Sequence, residues 1–319
     1  MSDKSARGPS TDAGEELRQR ERALAAAGEQ SASPAERRAL ADVPAEPGSA
    51  KPDPILVADD VSKRFGGMRA VDVDHLEVQR GTITSLIGPN GAGKSTFFNL
   101  ITGFDRPDTG TWRFGDTQLK GRRAHRIARL GMVRTFQLTK ALMRLTALEN
   151  LMLAAKDQRG ERFLPAMLRP TWHRQEQEIR DRADALLERF DLTRMRDEYA
   201  GTMSGGQRKL LEMARALMVD PTMIMLDEPM AGVNPALTQT LLGHLTDLRD
   251  EGMTIVFVEH DMDVVMGISD WIACFAEGRL IAEGTPDDIR RNDQVIDAYL
   301  GTSRALDDLP GTDDLEERG

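Results

Sequence analysis

Lys94 and Ser95 close the run Gly88-Pro89-Asn90-Gly91-Ala92-Gly93-Lys94-Ser95-Thr96. This is the spacing of a phosphate-binding loop, in which backbone N–H groups turn inward around phosphate oxygens and glycines permit the close approach. Lys94 would carry a cation to the β- and γ-phosphates of a nucleotide and Ser95 a hydroxyl to Mg2+. The following helix would lend the partial positive charge of its N-terminus. The apolar run Thr82 to Ile87 precedes the loop, so the expected context is strand, turn, helix. A loose glycine-rich turn is the plainer reading, but the complete pattern directly after a strand is much less common by chance.

Further reactive side chains are expected at strand ends. Met223-Ile224-Met225-Leu226 reads as a buried strand ending in Asp227-Glu228, and adjacent acids are poor core material. Asp227 would hold Mg2+ directly or through water, and Glu228 would orient or deprotonate an attacking water. Taken alone, the pair has a lesser, plainer reading as ordinary surface acids beyond a strand. Thr254 to Val258 is the next buried strand, ending in Glu259-His260. A neutral imidazole there could hydrogen-bond both a γ-phosphate and the backbone. Met203-Ser204-Gly205-Gly206-Gln207 leads into a helix whose apolar stripe is Leu210, Met213, Ala214, Leu217 and Met218. Ser204 and the two glycines would thus present backbone donors at a helix N-terminus, although a plain helix cap uses the same residue types.

The elements that must position these groups are short strands and helices. Ile55 to Ser62, Ala70 to Gln79, Thr82 to Ile87 and Thr111 to Phe114 read as strands, with turns at Gly66-Gly67, Arg80-Gly81 and Gly115-Asp116. Alternating apolar and polar residues in several of them suggest an antiparallel subdomain beside the nucleotide site. Phe65, just before the first turn, could stack on an adenine ring or serve as an ordinary core or surface aromatic. A strand over Gly131 to Phe136 ends at Gln137, and from Ala147 to Phe190 the pattern is helical, interrupted at Asp157 to Thr171. The last strands are Trp271 to Phe275 and Arg279 to Ala282, before a helix capped by Thr285.

The 319-residue chain is 40% hydrophobic, ample for a core, and its net charge of -10 argues against a non-specific nucleic-acid binder. It has no apolar run of membrane-spanning length and no secretory h-region. Cys274, the only cysteine, lies in an apolar run and reads as a buried strand residue. Residues 1–53 are rich in Ala, Glu, Arg, Ser and Pro and are expected to be a disordered polar extension, as are the acidic residues 302–319.

Together, and in order, these motifs resemble the ATP-binding cassette ATPases of membrane transporters, over Ile55 to Gly301. In that family's pattern, Gly88 to Ser95 match the phosphate loop, Gln137 the loop glutamine and Ser204 to Gln207 the signature, with Met203 in place of the commoner leucine. Asp227 matches the magnesium-associated acid, Glu228 the catalytic carboxylate, Ala231 to Pro235 the inter-subunit loop and His260 the switch histidine. Phe65 resembles the adenine-supporting aromatic. Met230 to Pro235, Val258 to Met262 and Ala298-Tyr299-Leu300-Gly301 look like the branched-chain amino-acid group.

The resemblance implies an α/β phosphate-loop fold over 54–301, with an antiparallel β subdomain and a helical subdomain inserted at about 138–215. It implies ATP and Mg2+, the metal on Ser95, Gln137 and Asp227, and ATP held by one chain while Ser204 and Gly206 of another cover it. Permease subunits, a second cassette and a periplasmic solute-binding protein are the implied partners, on the cytoplasmic face of an inner membrane. Coupling to the permease would run through Gln137 to Leu151, where Arg144 lies, and the following insert containing Phe163. Cassettes for urea, amides or lipopolysaccharide, and soluble non-transport cassettes acting on ribosomes or DNA, share the motor chemistry and are the alternatives.

Overall fold

The computed structural model describes residues 40–135, 142–156, 158 and 173–299. Two sheets dominate it. The first is antiparallel, built from β1 (Pro54–Phe65), β2 (Met68–Gln79), β4 (Thr109–Phe114) and β5 (Thr117–Gln118), in the order β2-β1-β4-β5. The hairpin between β1 and β2 turns at Gly66-Gly67 and ends on the pair Phe65 and Met68.

The second sheet carries the chemistry. It contains β3 (Ile83–Ile87), β6 (Met132–Arg134), β7 (Met223–Asp227), β8 (Thr254–Val258), β9 (Trp271–Ala276) and β10 (Arg279–Gly284), in the order β10-β9-β3-β8-β7-β6. Its four pairings from β9 to β6 are all parallel, and β10 closes one edge antiparallel to β9. Every residue of β3, β7 and β8 is buried, as expected of parallel strands covered on both faces. β3 is one of the two central strands of this sheet, between β9 and β8.

The helices are α1 (Lys94–Ile101), α2 (Ala124–Arg129), α3 (Ala147–Ala154), α4 (His173–Arg189), α5 (Gly205–Leu217), α6 (Pro235–Asp250), α7 (Met262–Ile268) and α8 (Pro286–Arg290). α3, α4 and α5 pack on one another, and Ala147, Leu151, Ala183, Leu187 and Leu211 join one buried cluster with strands β3, β7 and β8. A second cluster fills the space between the two sheets around Phe97, Phe98, Trp112 and Phe275. Thr146 starts α3 with a capping box to Glu149, and Ser204 starts α5 with the same device to Gln207.

The boundary expected at residue 53 is corrected. Residues 40–53 pack on the domain: Leu40 is buried, and the Lys51 side chain is fully enclosed beside Glu283, Nζ to Oε1 2.8 Å, and over the Trp271 ring at 4.4 Å. Ser49 N–H also donates to Glu283 Oε1, and Lys51 N–H to Glu77 Oε2. Pro47 lies in a turn of this strap closed by Ser49 N–H on the Glu46 carbonyl. What orders it is an ion pair to a residue more than two hundred positions away, which local composition does not reveal. Gln137 and Phe163, the expected strand end at Phe136 and the tail 302–319 lie outside the described residues.

Candidate functional site

The phosphate loop leaves the centre of the parallel sheet, at the carboxyl end of β3. Two of its glycines are dictated by space. Gly88 has φ +140°, and a Cβ there would lie 2.0 Å from the Phe275 carbonyl oxygen. Gly93 has φ +97°, and a Cβ would lie 2.3 Å from that of Ala70. Both conformations are glycine's, and both bring the loop onto neighbouring backbone. Gly93 caps α1 without a side-chain acceptor, and no acid occupies the first turn, so the opening N–H groups of this helix are free of side-chain competition for an anion.

Lys94 is 5% exposed and folds back, its Nζ donating to the carbonyls of Gly88 at 2.5 Å and Pro89 at 3.0 Å. Burial holds its ammonium below the usual lysine range, against the pull of Cys274, Glu228 and Asp227. Ser95 is exposed at the loop's mouth. A cleft of about 550 Å³ opens over the loop, walled by Phe65, Met68, Arg69 and Glu277 on one side and by Glu228 and His260 on the other. Phe65 and Met68 are 49% and 67% exposed, which gives the cleft an apolar lip suited to a flat ring.

Glu228 sits just past β7 in the left-handed region, φ +48°, with its N–H donating to Val258 O at 3.0 Å. A non-glycine residue held there stores backbone strain of about 1–3 kcal/mol. The result is a carboxylate turned toward the next strand end, where its Oε1 lies 2.9 Å from His260 Nε2. Glu259, pointing the other way, is 5% exposed and accepts from Met230 N–H at 2.8 Å and His260 N–H at 3.2 Å. Burial raises its carboxyl above the usual range, eased by those two N–H groups. Glu259 thereby ties the segment after β7 to the histidine after β8, a role its type and position did not announce.

Asp227 ends β7, nearly buried, and pairs with Arg134 on β6, Nη2 to Oδ2 2.6 Å. Arg134 also donates to Asn99 and stacks near Phe98 and Phe104. Sequence reasoning passed over this arginine, although it lies three residues before Gln137. Tyr299 was noted only as part of a terminal motif. Its hydroxyl accepts from the Gly88 N–H at 2.8 Å, so Tyr299 braces the start of the phosphate loop. Cys274 is buried beside it, its thiol pushed up to about 12 by burial, and is chemically quiet.

Phe65, Asn90 to Thr96, Glu228 and His260 therefore line one cleft, with Gly88 and Pro89 forming the base of its loop. Ser204, Gly205, Gly206 and Gln207 do not line it. Ser204 Oγ accepts from Gln207 N–H and the Gln207 side chain accepts from Ser204 N–H, a self-contained cap. A Cβ on Gly206 would meet Leu237 Cδ2 at 2.0 Å, so this glycine also lets α5 approach α6. The cleft, with a cation at its base, donors around it and a carboxylate–imidazole pair at its edge, can hold a polyphosphate and direct a water at it.

The model of the ABC transporter family matches residues 71–231, and that of the branched-chain amino acid ATP-binding cassette transporter matches residues 279–305. The chain is 43% identical over 250 residues to the high-affinity branched-chain amino acid transport ATP-binding protein BraF of Pseudomonas aeruginosa, covering 78% of this chain and 98% of that protein. A nucleotide-free ATP-binding cassette from an ABC transporter superposes with a TM-score of 0.67 at 35% identity, covering 77% of this chain and 98% of the other. A cassette solved as a dimer in a post-hydrolysis state with ADP and Pi gives a TM-score of 0.59 at 25% identity, covering 72% and 98%. With phosphate loop, strand-end carboxylates and histidine all assembled on the same sheet, this chain belongs to the ABC transporter family as one of its ATP-hydrolysing cassettes, in the branched-chain amino acid group.

Proposed function

We propose that this chain is the motor of an importer for branched-chain or related amino acids, hydrolysing ATP to ADP and phosphate at a site completed by a second cassette. The observation that carries the reading is the separation of parts. The phosphate loop, Glu228 and His260 share a cleft, whereas Ser204 to Gln207 cap their own helix outside it. One chain thus offers half of each of two sites, and the similar cassette solved as a dimer supports the pairing.

Mg2+ fits the donor set. Among the described residues no cluster of three or more His, Cys, Asp or Glu could hold a metal alone. Magnesium with nucleotide instead uses one or two protein oxygens and the phosphates. Ser95 Oγ and Asp227 would hold it, with Gln137 as the third expected ligand, and it would neutralise charge on the β- and γ-phosphate oxygens.

Lys94 would exchange its two loop carbonyls for phosphate oxygens, and the opening N–H groups of α1 would take the rest of the charge. Phe65 would support the adenine. Glu228 would orient the attacking water and accept its proton, and His260, now on Glu228, would turn toward the γ-phosphate. Ser204 and Gly206 of a second cassette would close over the γ-phosphate from the opposite side.

No helix among the described residues is long and apolar enough to cross a membrane. We place the chain on the cytoplasmic face of the inner membrane through permease subunits, with a periplasmic solute-binding protein delivering cargo and no nucleic-acid partner. Leu142 and Met143 expose apolar surface before α3, beside Tyr199, and form with Arg144 the described part of the coupling face. Co-purification from native membranes, with ATPase assayed in the presence of a leucine-loaded binding protein, tests the assignment. Polytopic permeases and leucine-dependent stimulation are expected, whereas export components or ribosomes without a permease would overturn it.

A further inference from the structure

The chain is acidic, yet no Asp or Glu occurs between Asp116 and Glu149. The exposed part of that stretch is a basic face centred on α2: Lys120, Arg122, Arg123, Arg126 and Arg129 are all exposed within ten residues. Other surface cations, by contrast, include several paired with carboxylates, as in Lys63 with Asp105, Arg80 with Asp53, Arg182 with Asp220 and Arg189 with Glu251. Among the described residues, none of the five on this face has a carboxylate partner; Arg122 Nε donates only to the Gln118 carbonyl. Such a concentration of like charge repels itself and gains nothing for the fold, so its use lies with an external anion.

The face is also apolar at its margin. Phe104 is 52% exposed and Leu130 37%. The Phe104 loop packs against the basic segment, since a Cβ on Gly103 would come within 2.7 Å of the Arg122 carbonyl and 2.8 Å of Ile127 Cδ1. Only Ile127 of α2 is buried, anchoring a short helix whose other residues stay at the surface. Cations interspersed with exposed large apolar side chains match the chemistry of a phospholipid interface, where headgroup phosphates take the charge and the upper acyl region the rings. The segment runs directly into β6, which ends three residues before Gln137.

We propose that this basic face rests on anionic phospholipid headgroups of the membrane that holds the permease, giving the motor a second contact besides the permease itself. The proposal rests on the transporter reading only for which membrane is met; the lipid contact itself is read from charge and exposure. It makes membrane attachment of the cassette salt-sensitive and dependent on lipid charge.

The test is flotation of the full chain with phosphatidylcholine vesicles and with vesicles containing about one-third phosphatidylglycerol, at low and high salt. Wild type is expected to float with the anionic vesicles only, and less so as salt rises. The R122Q/R123Q/R126Q/R129Q variant, whose changes lie outside the cleft, should keep its ATPase and lose anionic-vesicle affinity on the order of 100-fold or more. The corresponding four-lysine variant should float like wild type, because a headgroup layer reads charge rather than the guanidinium fork. Equal flotation with neutral vesicles, no flotation of wild type, or unaltered flotation of the glutamine variant would overturn the proposal. Loss in the lysine variant as large as in the glutamine one would do the same and point to fork-specific recognition by a protein partner. Absence of ATPase with flotation intact would instead count against the motor reading alone.

Discussion

Replacing Glu228 with Gln should separate nucleotide capture from turnover, if Glu228 has the proposed role. The side chain keeps its shape, and the backbone at φ +48° is no more strained for Gln than for Glu. The amide oxygen can still accept from His260 Nε2 at the observed 2.9 Å, so the cleft should stay assembled. What disappears is the proposed base. A positioned general base contributes about 10²–10⁴ in rate, or roughly 3–5 kcal/mol of barrier. Single-turnover and steady-state phosphate release should fall by that factor, while ATP affinity by equilibrium dialysis changes less than about threefold because Lys94, the loop and α1 are untouched. With closure permitted and hydrolysis blocked, an ATP-dependent dimer should accumulate in sedimentation. Turnover above about one-tenth of wild type would show that Glu228 is not the proton acceptor. A large loss of ATP affinity would show that it helps hold the nucleotide.

Three further outcomes follow from contacts of the loop and the strap. Tyr299→Phe leaves the buried Gly88 N–H without its acceptor, so thermal unfolding should report a loss of about 1–3 kcal/mol, accompanied by weaker ATP binding; unchanged affinity would confine the tyrosine to packing. Lys51→Met strands the enclosed Glu283 carboxylate and should cost about 3–5 kcal/mol in denaturant unfolding near neutral pH. Burial already raises the Glu283 carboxyl above its unfolded value, so protonation favours the fold. The deficit should therefore shrink as pH falls through the folded value and grow as pH rises. Lys94 titrates below the usual lysine range, and anion binding favours its charged form. ATP binding should thus take up protons at alkaline pH, seen as a dependence of calorimetric heat on the buffer's ionisation enthalpy, and its affinity should decline as pH approaches the lowered value from below.

The site was legible in the sequence wherever chemistry is written in adjacent residues. Gly88 to Ser95, Asp227-Glu228 and Glu259-His260 each follow an apolar run, and a run entirely buried on both faces is a parallel strand whose carboxyl end holds the reactive turn. The antiparallel hairpin was legible for the same reason, from alternation and Gly66-Gly67. Partners distant in sequence were not. Arg134 on Asp227, Tyr299 under Gly88 and Glu259 on Met230 are pairings that only the sheet order brings together. The strap at residues 40–53 looked unstructured because its order comes from Glu283 and Trp271 rather than from local propensity. The strain at Glu228 has no marker either, since glutamate in a left-handed turn is imposed by the two strand ends around it.

The most direct test of a site shared between chains is complementation in a mixture. Lys94→Ala removes the proposed phosphate cation and Ser204→Arg blocks the proposed signature surface, and each variant alone should be inactive. If chains pair at random and sites act independently, equal mixing restores one complete site in half of the dimers, or about one-quarter of wild-type ATPase. Recovery near that level is the predicted result. Full activity in Ser204→Arg alone, or none in the mixture of two correctly folded variants, would contradict it.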